Sequence, residues 1–244
     1  MGPLRIDPLA GIDLVVFDKD GTLIDFQAMW GGWVGQLVAG LERETGEPFG
    51  DRLRDVLGVD GETGLVRAHG LLAATPMARI REVVLGVVAD RLGDPARAAA
   101  VVEDVWQAPD PVTLARPVGD LRALLLNLRE AGRRIAIATS DDRAPTERTL
   151  AALGIADVVD DLACADDGLG VKPSPDAVHH LCRTLGVVPA RTAVVGDSVA
   201  DLAMGRAAGA GRVIGVLTGV ADEATLAPLA DVVLPSVQEL LARE

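Results

Sequence analysis

Hydrophobic positions follow two rhythms along this chain. Near the start, Leu14-Val15-Val16-Phe17 is an unbroken apolar run rich in residues that suit a pleated strand. From about Asp25 to Gln107 the apolar residues instead recur at helical spacing, with almost no strand-like run. Helices are predicted over 27–45, closed by Gly46, and over 52–57, 63–73, 76–92 and 95–107. Pro76 and Pro95 suit first-turn positions, with Thr75 and Asp94 before them as N-caps. Ala108-Pro109-Asp110-Pro111 then reads as a stiff linker. Beyond it, helix and short apolar strand alternate: 118–131 then 134–138, 145–153 then 156–159, 175–185 then 192–195, and 199–208 then 212–216. A last strand at 231–234 and a terminal helix at 237–243 complete the pattern. This alternation predicts an α/β fold whose parallel sheet is covered by helices on both faces.

In such a sheet, sites form at the carboxyl ends of strands, so the residues after each strand carry the candidate chemistry. Asp18-Lys19-Asp20-Gly21-Thr22 follows the first strand. Gly21 permits a sharp turn, and strand alternation directs Asp18 and Asp20 to one side and Lys19 away from both. Asp and Gly are also ordinary turn residues, so by itself this pentapeptide reads equally as a solvated turn. Thr139 and Ser140 end the 134–138 strand; a hydroxyl with nearby free N–H groups suits a phosphate, and N-capping by Thr139, Ser140 or Asp142 is the plainer alternative. Lys172 precedes Pro173, which keeps it out of helical geometry, while Ser174 caps the next helix and Pro175 opens it. Its ammonium is either an inward point charge or a solvated one. Gly196-Asp197-Ser198 ends the 192–195 strand, with Asp201 at the next helix start, where it also favours the helix dipole. Convergence of Asp18, Asp20, Asp197 and Asp201 would be repulsive without a divalent cation, and hard oxygen ligands favour Mg²⁺.

Composition changes this picture in a few places. The chain has 244 residues, 49% of them hydrophobic, but aromatics supply only 2% and Tyr is absent, so aliphatic side chains fill the core. A formal net charge of -13 without a Lys/Arg block argues against a nucleic-acid role, and an anionic substrate requires a local cation. Cys164 and Cys182 form no recognisable pair and fit a reduced intracellular setting. With neither a leader-like N-terminus nor an apolar run of membrane-spanning length, a soluble cytoplasmic protein is expected. Trp30 and Trp33 read as core anchors of the helical segment, Arg67 and His69 as surface residues, and His179 and His180 as ordinary helix residues.

Taken in order, Asp18-Lys19-Asp20-Gly21-Thr22, Thr139, Lys172-Pro173 and Gly196-Asp197-Ser198 with Asp201 resemble the four motifs of the haloacid dehalogenase superfamily. In style the chain is similar to the phosphoglycolate phosphatase-like branch, and the helical segment looks like a C1 cap. The resemblance implies a Rossmann-like doubly wound core formed by 1–24 and 113–244, with an inserted α-helical cap at 25–112. It implies that Asp18 attacks phosphorus to form an aspartyl-phosphate, and that Asp20 protonates the leaving alcohol and then activates water. Thr139, Ser140 and Lys172 would bind phosphate; Asp18, Asp197 and the Asp20 backbone carbonyl would bind Mg²⁺, supported by Asp201. Two departures stand out: Lys19 replaces a frequent apolar residue, and Ser140-Asp141-Asp142 follows Thr139 where many relatives carry Asn. An acid two residues after the nucleophile favours phosphoryl transfer over attack on carbon. The expected activity is therefore Mg-dependent hydrolysis of a small phosphorylated metabolite, phosphoglycolate-like or a sugar phosphate. A phosphomutase is the alternative. Intact Asp18 and Asp20 argue against a non-catalytic phosphometabolite-binding module.

Overall fold

The structure is a computed structural model and describes residues 7–67, 70–74, 77–107 and 111–241. It divides into two compact units, one comprising the chain up to Phe26 together with Ala115 onward, the other Gln27–Leu114. The first holds a six-stranded parallel sheet of β1 (Leu14–Phe17), β2 (Arg134–Ala138), β3 (Asp161–Ala163), β4 (Thr192–Gly196), β5 (Arg212–Val216) and β6 (Val232–Leu234), in the order β3-β2-β1-β4-β5-β6. β1 is central because all four of its residues are apolar and fully buried, which only a strand covered on both faces permits. Its Phe17 lies opposite Ile137 of β2 and Val195 of β4. Strand order reverses at β1, so the loops after β1 and β4 diverge there and open the crevice in which doubly wound sheets bind ligands.

Alternation along β1 assigns its side chains to two cores. Val15 and Phe17 join Leu124 and Leu128 of the Leu121–Glu130 helix, whereas Leu14 and Val16 join Val178 of the Asp176–Leu185 helix and Met204 of the Val199–Ala207 helix. Each aliphatic side chain buried in this way contributes roughly 1.5–3 kcal/mol.

Two expected elements of this unit differ. Instead of a strand, residues Ala156–Val158 form a 3-10 turn that buries Ile155 and Val158 in the first core. Asp160 explains the shift: its N–H donates to the Ile135 carbonyl and its carboxylate accepts from the Ile135 N–H, both at 2.7 Å. That occupies the edge of β2, and pairing starts only where Asp161 faces Ala136. The expected 237–243 helix is a 3-10 turn over Val237–Leu240, and 242–244 lie outside the described residues.

In the second unit, helices span Phe26–Thr45, Gly50–Leu57, Met77–Leu92 and Pro95–Val105, with a single turn at Leu71–Ala74. Asp94 caps as expected, accepting from the N–H groups of Ala96 and Arg97. The helix expected over 63–73 does not form at its start. Asp60 Oδ1 accepts from the Glu62 and Thr63 N–H groups and the Thr63 hydroxyl, Gly64 takes a φ of 71°, and Val66 bridges antiparallel to Val59. Side-chain capture of these donors outweighs the apolar periodicity. Trp33 is buried, stacks edge-on with Trp30 and Trp106, and donates its indole N–H to the Gln107 carbonyl, in keeping with a core anchor. Arg67 reaches Asp55 at 3.8 Å as an exposed pair. His69, Thr75, Pro76 and Ala108-Pro109-Asp110 lie outside the described residues.

Candidate active site

At the switch point, the Asp18 N–H donates to the Val195 carbonyl at 2.8 Å, so Asp18 stays in the sheet ladder one residue beyond β1. Asp197 follows β4 directly, and Asp201 lies in the first turn of the Val199–Ala207 helix. The carboxylates of Asp18, Asp197 and Asp201 are buried, and one oxygen of each lies within 4.8 Å of the others. Asp201 takes the helix-start role expected of it and also meets Lys172. Its Oδ2 closes a capping box with the Ser198 N–H and hydroxyl, and its Oδ1 accepts from Lys172 Nζ at 2.7 Å. Lys172 Nζ also donates to Asp18 Oδ1 at 2.5 Å. Lys172 is thus an inward charge, held where Pro173 follows it and the Asp176–Leu185 helix begins. Ser174 lies one residue further from that helix than expected, with its hydroxyl 3.4 Å from the Asp176 N–H.

The loops around Asp197 are closely fitted. A Cβ on Gly21, whose φ is 92°, would collide with the Asp197 carboxylate, as would one on Gly219. Thr22 donates to Asp197 Oδ1 at 3.3 Å, the Val220 N–H donates to Oδ2 at 3.0 Å, and the Thr218 hydroxyl donates to the Gly21 carbonyl at 2.6 Å. Neither Thr218 nor Val220 stands out in the sequence. Their signal was present, since they follow β5 at the same edge of the sheet.

Burial dominates the electrostatics. It raises the Asp18 carboxyl well above the usual range, opposed by the charge of Lys172 and reinforced by Asp201 and Asp197. Asp197 is pushed up to about 7, by burial first and by Asp201 next. For Lys172, burial works against the ammonium, but Asp18 and Asp201 outweigh it and raise the pKa. Three buried carboxylates answered by one ammonium, with only oxygen donors among them, fit a hard divalent cation.

Thr139 is buried at the end of β2; its N–H donates to the Ala163 carbonyl and its Oγ1 accepts from the Asp141 N–H at 3.1 Å. The hydroxyl proton is left to donate elsewhere. N-capping by this trio is not realised: the Arg143–Ala152 helix receives no side-chain cap from Asp142, and the Arg143 N–H donates to Asp166 instead. Ser140 is exposed, but with Thr139, Lys172 and Cys164 it lines a cavity of about 120 Å³. Cys164 and Cys182 are buried free thiols, and His179 donates from Nε2 to the Ala208 carbonyl at 3.3 Å.

The expectation for Lys19 is overturned. Its side chain is 1% exposed, and its ammonium donates to Asp20 Oδ2 at 2.6 Å and pairs with Asp141 Oδ2 at 2.9 Å. Alternation fails because the strand ends at Phe17 and the chain turns, the N–H groups of Leu23 and Ile24 both donating to the Lys19 carbonyl. The carboxylate of Asp20 consequently faces Lys19 and stands outside the Asp18–Asp197–Asp201 group.

Residues 12–209 match the haloacid dehalogenase-like hydrolase family. The chain is 32% identical over 209 residues to Probable phosphatase IndB of Dickeya dadantii, covering 85% of this chain and 82% of that one. It is 30% identical over 196 residues to a phosphoglycolate phosphatase of Rhodospirillum rubrum, covering 80% and 76%. Among solved structures, a Deinococcus radiodurans HAD family hydrolase with bound phosphate and sodium superposes with a TM-score of 0.66 at 25% identity, covering 95% and 94%. With a match across most of its length and the motif residues gathered at one switch point, the chain belongs to the haloacid dehalogenase-like hydrolase family as a phosphatase-like enzyme.

Proposed function

We propose that the protein hydrolyses a small phosphomonoester, phosphoglycolate or a sugar phosphate of similar size, at the Asp18 site. The observation that carries this reading is Lys172 Nζ bridging Asp18 and Asp201 beside Asp197, because it combines a nucleophile, a fixed cation and a cation-binding carboxylate pair in one buried crevice. Relatives named for phosphatase activity support it, and so does a neighbour holding phosphate.

In this reading Asp18 attacks phosphorus through Oδ2, since Oδ1 is engaged by Lys172. The P–O ester bond breaks as the aspartyl-phosphate forms, and the departing oxygen takes a proton from Asp20. Asp20 then accepts a proton from the attacking water, the acyl phosphate bond breaks, and free phosphate leaves with Asp18 regenerated. The raised pKa of Asp20, caused by burial and offset by Lys19, favours its holding a proton for the first step. The Thr139 hydroxyl and Lys172 hold phosphoryl oxygens, and Ser140 adds a hydroxyl at the rim. Asp18, Asp197 and the Asp20 carbonyl would hold Mg²⁺, with Asp201 fixed behind them; when bound, the ion neutralises charge on the phosphoryl group. The insert at 25–112 is the proposed substrate-selecting cap.

The test is free-phosphate release from a panel of phosphomonoesters with Mg²⁺ and with chelator. Mg²⁺-dependent release, reduced about a thousandfold or more in Asp18→Asn, is expected. No release on any ester overturns the reading, and an isomerised phosphosugar without stoichiometric phosphate replaces it with a phosphomutase.

A further inference from the structure

Lys19 joins two loops of the sheet unit at a point the reaction scheme leaves without a task. Its sealed ammonium has two counter-charges: Asp20 on its own loop and Asp141 on the loop after β2. Their settings differ. Asp141 is held at both backbone ends, its N–H donating to Thr139 Oγ1 and its carbonyl accepting from the Ala165 N–H at 2.9 Å, and its side chain is 43% exposed. Asp20 commits only Oδ2 to the ammonium, while Oδ1 is buried with no hydrogen-bond partner among the described residues. A carboxylate in that state is ready to turn toward another donor. If Asp20 turns to a reacting oxygen, Lys19 loses that partner in a dry site, which is costly unless a second counter-charge remains.

We propose that Asp141 is a positioning residue that acts on Asp20 through Lys19, keeping the buried ammonium paired so that the Asp20 carboxylate is free to exchange between Lys19 and the substrate. This rests on Asp20 being the acid/base of the proposed hydrolysis. Without Asp141, Asp20 becomes the sole counter-charge of Lys19 and is tied to it. Asp141→Asn removes the charge but keeps the backbone bonds that orient Thr139, so phosphate binding is spared.

The experiment measures kcat and KM of the full chain with Mg²⁺ on p-nitrophenyl phosphate for Asp141→Asn, Lys19→Met, the double variant and Asp141→Glu. Asp141→Asn is expected to lower kcat about tenfold with KM changed less than about twofold, and Lys19→Met in the same chain to restore most of that loss, because most of the effect runs through Lys19 and only the remainder through the direct repulsion between Asp141 and Asp20. Asp141→Glu, which keeps the counter-charge, recovers kcat and carries the test if Lys19→Met does not fold. Wild-type kcat in Asp141→Asn, or losses that simply multiply in the double variant, overturn the proposal while leaving hydrolysis intact. If the wild type turns over no ester, the hydrolase reading fails and this proposal falls with it, an outcome distinct from wild-type kcat in Asp141→Asn.

Discussion

Lys172 donates to two buried carboxylates and is itself only 9% exposed, so its removal leaves Asp18 and Asp201 facing each other without a cation. Lys172→Met is expected to cost about 3–5 kcal/mol in chemical denaturation at neutral pH, the range for breaking a buried pair, and to abolish measurable turnover. A loss below about 1 kcal/mol, the scale of a surface pair, would show that the ammonium is solvated. Gly21 is the second sensitive position. Gly21→Ala has to accommodate a Cβ at positive φ against the Asp197 carboxylate, so loss of both stability and Mg²⁺ binding is expected by melting with and without the ion. An alanine variant with wild-type melting in both states contradicts that fit.

At the scale of elements, β1, β2 and β5 are legible to the residue because each run opens directly after Asp13, Arg133 or Gly211, which leaves few alternatives. The segments that are not legible have two causes. At Asp60 and Asp160 a carboxylate captures backbone donors, and at Lys19 a turn ends strand alternation; none of these is encoded in periodicity. The candidate site is legible because a parallel sheet delivers its strand ends to one edge, which brings Asp18, Lys172, Asp197 and Asp201 together from three separate motifs. Asp141, Thr218 and Val220 act through contacts that only the folded loops create. One element-level prediction concerns the Pro95–Val105 helix: Asp94→Ala removes its cap and is expected to cost about 1 kcal/mol in urea, with phosphate release unaffected.

Across the whole molecule, the acidic balance of -13 has to coexist with an anionic ligand, and the crevice resolves this with Lys172 and a carboxylate group suited to a cation. Asp197 gives this a pH signature. Its carboxyl is pushed up to about 7 in the folded chain, mainly by burial, against about 3.9 when unfolded, so between those values the native state binds the extra proton. Its contribution therefore destabilises the metal-free protein as pH rises through that window. Mg²⁺ competes with the same proton, so its stabilising effect grows in that direction. Melting temperatures from about pH 5 to 8, with chelator and with Mg²⁺, are expected to diverge as pH rises. Parallel curves contradict the assignment of Asp197 to the ion. Among the described residues no helix is long and apolar enough to cross a membrane. The most direct test of the central claim is acid quenching during turnover of a ³²P-labelled ester, followed by peptide mapping. Hydroxylamine-labile label is expected on the peptide containing Asp18 and none in Asp18→Asn, whereas turnover without label, or label persisting in that variant, would contradict Asp18 as the nucleophile.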